Sequence, residues 1–201
     1  MYKVLGGVAS RAFRVLWVLE ELGADYEFVP AKPRSEAVRA VNPSGKIPVL
    51  LDGAHVLTDS SAIMTYLTDK HGVLTFDAGS IERAHQDALL HTILDELDAV
   101  LWTAARHSFV LPEDQRVPQI KTSLKAEFVR NLERLVDRVN GPYLMGDMMT
   151  VPDILLTHCC NWAVSAKFPA PPDALSPYLS AMRARPAFKR VRALAEMENV
   201  T

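Results

Sequence analysis

The stretch "NPSGKIPVLLDGAHVLTDSSAI", from Asn42 to Ile63, holds a turn, a proline step, two apolar runs and a helix start within 22 residues. Asp52-Gly53 between "IPVLLD" and "HVLTD" is a strong two-residue hairpin signal, so the two runs read as antiparallel strands. Pro48 stands directly before the first of them, where a residue without an N–H fits a strand start. One reading is an ordinary trans proline. The other is a cis Ile47-Pro48 bond, which X-Pro alone tolerates cheaply, turning the Ile47 backbone outward to pair with an extended peptide. Asp59-Ser60-Ser61 likewise reads two ways. It is a good helix N-cap, and it is also a place where free N–H groups and hydroxyls attract a carboxylate while Asp59 attracts an ammonium.

Upstream, "YKVLGG" (Tyr2 to Gly7) is a short buried strand closed by glycines. "SRAFRVLWVLEELG" follows as a helix with Ser10 as N-cap and Gly23 as stop. Its apolar residues cover more than one face, which predicts packing on a sheet and on a further element. "YEFVPA" is a second strand, and a strand–helix–strand crossover of this length favours parallel pairing. A short helix near Ser35 to Val41 leads into the Asn42–Ile63 stretch. After it, "SSAIMTYLTDKHG" is a helix ended by Gly72. The order is β-α-β, a linking helix, then β-β-α, finishing near residue 75.

From Glu82 onward the periodicity is helical throughout. "IERAHQDALLHTILDELDAVLWTAARHSF", "QIKTSLKAEFVRNLERLVDRVN" and "TVPDILLTHCCNWAVSAKF" are long patterns, and "LSPYLSAMRARPAFKRVRALAEM" gives two short helices split at Pro186. Residues 1–75 are therefore expected to form a small α/β domain, 76–82 a linker around "TFDAGSI", and 83–201 an all-α domain. "TVPD", Thr150 to Asp153, is a capping box with proline in the first turn, and its role is structural.

The 201 residues carry a formal net charge of −2, with 49% hydrophobic and 23% charged residues. No global field favours nucleic acid or an anionic membrane. No apolar run reaches the roughly 18 residues of a membrane span. The two cysteines, Cys159 and Cys160, are neighbours, so a disulfide framework is excluded and a reducing cytoplasm is expected.

Several chemistries lack their residues. "NPSGKI" has Gly45-Lys46 without the rest of a phosphate loop, and no dinucleotide fingerprint follows the first strand. There is no Gly-x-Ser-x-Gly elbow around Ser10, no H-E-x-x-H among the six histidines, and no metal-ligand spacing at Cys159-Cys160. No metal is expected. Ser10 itself reads as an N-cap or as a hydroxyl donor aimed at an anion, with Arg11 and Arg14 adding positive potential. Trp102, His107 and Phe109 read as core or surface, or as an aromatic cluster lining an apolar cleft.

Taken together, "SRAFRVLWVLEELGADYE", "NPSGKIPVLLDGAHVLTDSSAI" and "YLMGDMMTVPDILLTHC" resemble the glutathione S-transferase superfamily, in order and at its usual spacing. The resemblance implies a thioredoxin-like N-terminal domain followed by an all-α domain. It implies a cis Pro48, with the Ile47 backbone pairing with the cysteinyl part of glutathione. Asp59 and Ser60 would hold the γ-glutamyl ammonium and carboxylate, and Lys46 would reach the glycyl carboxylate. Ser10, with Arg11 nearby, would stabilise the glutathione thiolate as in the serine-type, bacterial-like classes. Tyr2 lies too early to replace it. Trp102, His107 and Phe109 are the candidates for the second-substrate cleft, holding a hydrophobic electrophile.

Glutathione would be a co-substrate and the reaction a conjugation. The alternatives are a glutathione-dependent isomerase, dehalogenase or peroxidase, or a binding protein that keeps the fold without turnover. A homodimer is implied. Two departures stand out. Asp59 replaces the glutamate of many bacterial relatives, and "GGVA" before Ser10 has neither the cysteine nor the tyrosine of other classes.

Overall fold

The protein is described from a computed structural model that covers residues 1–139 and 141–198. Asn140 and residues 199–201, assigned above to helical sequence or to the all-α segment, lie outside the described residues. The chain divides into two compact units. One comprises Met1–Ala78 together with the residues from Met182 onward, and the other Gly79–Ala181.

In the first unit, β1 (Tyr2–Gly6), α1 (Ala12–Leu22) and β2 (Tyr26–Pro30) are followed by α2 (Glu36–Val41), β3 (Val49–Asp52), β4 (His55–Thr58) and α3 (Ser60–His71). The sheet order is β2-β1-β3-β4. β1 and β2 run parallel, with Tyr2 opposite Tyr26, while β1–β3 and β3–β4 are antiparallel. The pairing of Asp52 with His55 makes Gly53-Ala54 the two-residue hairpin loop, one position beyond the sequence expectation. Gly53, at φ 58°, supplies the left-handed position that the loop requires. This mixed sheet with its crossover helix is a thioredoxin-like arrangement.

Helix α1 is the centre of the unit. Ala12 to Leu19 are all buried, so no face of this stretch meets solvent. β1, α3 and α9 (Pro186–Glu198) pack against it, which accounts for its apolar residues on every side. Gly6 sets how closely the helix meets the sheet: a Cβ there would lie 2.6 Å from the Ala12 Cβ. In the sequence Gly6 reads only as a strand stop; its additional role is close approach. Phe13, Trp17 and Phe188 form an edge-on aromatic cluster between α1 and α9. Arg185 grips Glu21 through two bonds, Nε–Oε1 at 2.6 Å and Nη2–Oε2 at 2.8 Å, and Arg190 pairs with Glu20. The residues after Met182 thus complete the first unit, a return of the chain that helical periodicity cannot reveal.

The second unit is helical. α4 (Ile81–Ile93) and α5 (Ala99–Ala105) belong to one run to Val110, broken by π-helical turns at Leu94–Asp98 and Arg106–Val110. α6 (Ile120–Val136) and α7 (Val151–Ser165) follow, and α8 (Ser176–Ala184) leads toward Pro186, which opens α9 at a position where its missing N–H costs nothing.

The "TVPD" capping box forms at the start of α7. Asp153, fully buried, accepts from the Thr150 N–H at 2.8 Å, the Leu144 N–H at 2.9 Å and the Tyr178 hydroxyl at 2.9 Å. Burial pushes its carboxyl above the ordinary aspartate range, and the hydrogen bonds from Leu144, Thr150 and Tyr178 offset part of that rise. Removing the carboxylate strands these buried donors together. Asp153→Ala is expected to destabilise the protein by roughly 3 kcal/mol or more. A urea titration followed by fluorescence checks this, and a loss under about 1 kcal/mol would contradict the network's role.

Candidate functional site

Of the expected site residues of the first unit, Ser10 and Arg11 lie at the N-terminal end of α1 and Asp59 and Ser60 at that of α3. Ser10 lies in the turn between β1 and α1, and α1 begins one residue later than its sequence pattern implies. The delay follows from a tight turn in which the Ser10 N–H donates to Gly7 O at 2.9 Å and the Phe13 N–H to Ser10 O at 3.1 Å. Arg11 therefore occupies the formal cap position without a capping side chain. The Ser10 hydroxyl takes over that work: Oγ accepts from the Ala12 N–H at 3.1 Å and gives its own proton to Gly7 O at 2.7 Å. The oxygen is thus polarised by the positive end of the α1 dipole.

Ile47-Pro48 is cis, as the resemblance implies. Both residues border the end of β1, since a Cβ on Gly6 would meet Ile47 Cβ and Pro48 Cα at 3.8 Å each. The loop leading to them is built on Asn42, a residue with no signal of its own in the sequence beyond a turn. Its amide donates to Lys46 O at 2.9 Å, and its Oδ1 accepts from the Ser44 hydroxyl at 2.9 Å and the Ser44 N–H at 3.2 Å. Gly45, at φ 68° and tight against the Arg34 backbone, completes the turn by accepting from the Arg34 N–H at 2.8 Å. The loop is a fixed object, while the Lys46 side chain projects into solvent from its end.

Asp59 caps α3. Its Oδ1 accepts from the Ser61 N–H at 2.9 Å and the Ala62 N–H at 3.1 Å, and also from the Ser61 hydroxyl. Its backbone sits at φ 69°, ψ 123°, outside the usual range of L-residues. Such a conformation costs about 1–3 kcal/mol and persists at sites that use it. Burial alone would raise the Asp59 carboxyl. The Ser61 and Ala62 hydrogen bonds and the Arg11 charge outweigh burial and hold it below the ordinary aspartate range. Ser60 is buried at 4% exposure, and its Oγ accepts from Arg14 Nη1 at 3.4 Å. Arg14, which sequence reasoning valued only as nearby positive charge, is fully buried.

Trp102, His107 and Phe109 belong to the second unit, on α5 and the π-helical turn that follows. His107 Nδ1 accepts from the Val117 N–H at 3.1 Å, Trp102 is half-buried, and Phe109 is 70% exposed. A depression of about 360 Å³ elsewhere on the first unit is lined by Tyr2, Asp25, Asp52, Lys70 and His71. There Lys70 and the Tyr66 hydroxyl both bond to Asp52, and Tyr2 to His71, so its polar groups serve each other. Among the described residues no group of three or more His, Cys, Asp or Glu is placed to hold a metal ion.

Comparison with known proteins agrees with this architecture. Family models for the glutathione S-transferase N-terminal and C-terminal domains match residues 10–70 and 102–194. A zeta-class glutathione S-transferase of Euphorbia esula is 30% identical over 159 residues, covering 74% of this chain and 69% of its own. A probable maleylacetoacetate isomerase of Caenorhabditis elegans is 26% identical over 151 residues, covering 73% and 71%. The crystal structure of a glutathione transferase from Methylococcus capsulatus superposes with a TM-score of 0.84 at 25% identity, covering 98% of this chain and all of the other. The chain belongs to the glutathione S-transferase superfamily.

The depressed Asp59 carboxyl makes its cap pH-dependent with a definite sign. A carboxyl held low in the folded state adds stability above its unfolded value near 3.8, and that stability drains away as pH falls through the lower folded value. Asp59→Ala is expected to cost about 1 kcal/mol at pH 7. The difference from wild type should shrink as pH falls below about 3.8, measured by urea midpoints at neutral and at acid pH. A constant difference would contradict the assignment.

Proposed function

We propose that the first unit binds glutathione and activates its thiol, and that the protein conjugates the thiolate to hydrophobic electrophiles. The observation that carries this reading is Ser10 Oγ, held at the first turn of α1 by the Ala12 N–H. A free thiol has a pKa near ~8.5, so little is ionised at neutral pH. Lowering it by about two units takes roughly 2.7 kcal/mol of preferential thiolate stabilisation. The Ser10 proton would swing from Gly7 O to the thiolate while Oγ goes on accepting from Ala12. The exchange favours the thiolate because a hydrogen bond to an anion is stronger than one to a neutral carbonyl. Arg11, close enough to act on Asp59, adds positive charge.

In this reading the Ile47 backbone at the cis Pro48 step pairs with the cysteinyl part of the tripeptide. Asp59 takes the γ-glutamyl ammonium, Ser60 its carboxylate, and Lys46 the glycyl carboxylate. What supports the cradle is its rigidity: the Asn42-anchored loop and the strained Asp59 backbone are both fixed before any ligand arrives. Trp102, His107 and Phe109 are proposed to meet the electrophile, with the exposed ring of Phe109 as the support. A homodimer in the cytoplasm is part of the same proposal and rests on the family alone.

Isomerisation is the second reading. It is favoured by the likeness to the isomerase from Caenorhabditis elegans, and it uses the same thiolate. In an isomerisation glutathione is regenerated, whereas in a conjugation it is consumed; product analysis with equimolar glutathione separates the two.

The deciding experiment is titration calorimetry with glutathione, together with ultraviolet absorbance of the bound thiolate against pH. Wild type should bind and show a thiolate pKa well below the free value. Ser10→Ala should keep affinity within a few-fold, lose the pKa depression, and turn over an aryl halide at least ~10-fold more slowly. Unchanged turnover would remove Ser10 from its role. Asp59→Ala should weaken glutathione binding by about 10-fold, and unaltered affinity would contradict the cradle.

A further inference from the structure

Asn42 does more than the turn before Pro48 requires. Backbone bonds already close that turn, from the Gly45 N–H to Asn42 O at 2.9 Å and from the Arg34 N–H to Gly45 O at 2.8 Å. The Asn42 side chain, at 8% exposure, reaches past the turn, and its Nδ2 donates to Lys46 O at 2.9 Å. Its Oδ1 accepts from the Ser44 hydroxyl at 2.9 Å, and Ser44 Oγ in turn accepts from the Lys46 N–H at 3.3 Å. One ring of side chains thus holds both backbone groups of Lys46. The same ring fixes the amide's orientation, because a reversed amide would set its oxygen against Lys46 O and its donors against the Ser44 N–H.

The ring decides where Ile47 points its N–H. The Lys46–Ile47 bond is trans, so its carbonyl and its N–H point in opposite directions. With Lys46 O turned to Asn42, the Ile47 N–H is turned away from the loop. The Ile47 side chain packs against the cluster of Leu5, Val38 and Val49, which anchors the residue from its other end. Among the described residues neither the N–H nor the C=O of Ile47 has a hydrogen-bond partner. A backbone N–H left over beside a packed core is satisfied from outside, by water or by a ligand.

Resting on the glutathione reading, we propose that Asn42 is a positioning residue. Through Lys46 it aims the Ile47 N–H at the cysteinyl carbonyl of the ligand, and so makes the protein select thiols that carry that carbonyl. Asn42 touches no ligand atom; it acts through the peptide unit between Lys46 and Ile47.

The test compares two thiols by calorimetry: γ-glutamylcysteinamide, which has the cysteinyl carbonyl, and γ-glutamylcysteamine, which lacks the carboxamide bearing it. Neither carries the glycyl carboxylate, so the Lys46 side chain does not enter the comparison. Wild type is expected to prefer the first by about 5-fold or more, the scale of one hydrogen bond to a neutral carbonyl. Asn42→Ala and Asn42→Asp should each cut the preference below about 2-fold. The aspartate keeps the acceptor for Ser44 but sets an oxygen where the donor to Lys46 O stood. Ser44→Ala, which removes the other arm of the ring, should fall between these variants and wild type. A merely structural Asn42 would weaken both thiols equally and leave the preference intact, which would overturn the proposal while the glutathione reading stands. Glutathione binding by a wild type that shows no preference between the two thiols would likewise overturn the proposal alone. Failure of wild type to bind glutathione would overturn both. Should Asn42→Ala not fold, judged by circular dichroism, Asn42→Asp and Ser44→Ala carry the comparison, and an unchanged preference in both overturns the proposal outright.

Discussion

The burial of α1 is the constraint on which the first unit depends. A helix with no solvent face from Ala12 to Leu19 must be enclosed on every side. The sheet, α3 and α9 each supply a wall. The enclosure fixes the height of the helix above β1 to within the space a glycine leaves at position 6. The turn at Ser10 is in its own right closed by the bonds from the Ser10 N–H to Gly7 O and from the Phe13 N–H to Ser10 O. The C-terminal helix therefore matters to the site although it contributes no residue to it. Its Arg185–Glu21 and Arg190–Glu20 pairs and the Phe13–Trp17–Phe188 cluster hold the helix that carries Ser10.

Two helix N-termini, those of α1 and α3, are treated differently. At α1 a serine side chain bonds the Ala12 N–H and keeps its oxygen near the surface. At α3 an aspartate does the capping, so the serine beside it is spared. Both devices leave a hydroxyl at the positive end of a dipole, which is the cheapest way a backbone can prepare a place for negative charge. The cost is visible at Asp59, whose backbone conformation is one that L-residues rarely adopt.

Much of this could be read from the chain. The 3.6-residue periodicity and the glycine stops delimited α1 and α3, because helix termination needs a left-handed residue and Gly23 and Gly72 provide it. The capping box at Thr150 and the hairpin near Gly53 are equally local. The cis bond at Pro48 was different: residues alone left it open, and resemblance to a family resolved it. The π-helical turns at Leu94–Asp98 and Arg106–Val110 have no local signature in an otherwise regular helical pattern.

The sequence by itself determined the order of elements, the superfamily to which the chain resembles a member, and the identity of the polar residues at the two helix starts. These depend on neighbours within a few positions, where propensity and capping act. Tertiary structure alone decided that residues after Met182 return to the first unit, that Gly6 is a point of contact, that Asn42 builds the loop before Pro48, and that Arg14 lies beneath Ser60. The return of the chain joins Glu20 to Arg190, 170 positions apart, and Arg14 meets Ser60 46 positions further on. Burial and pairing at that range are properties of the packed chain, and no local pattern encodes them.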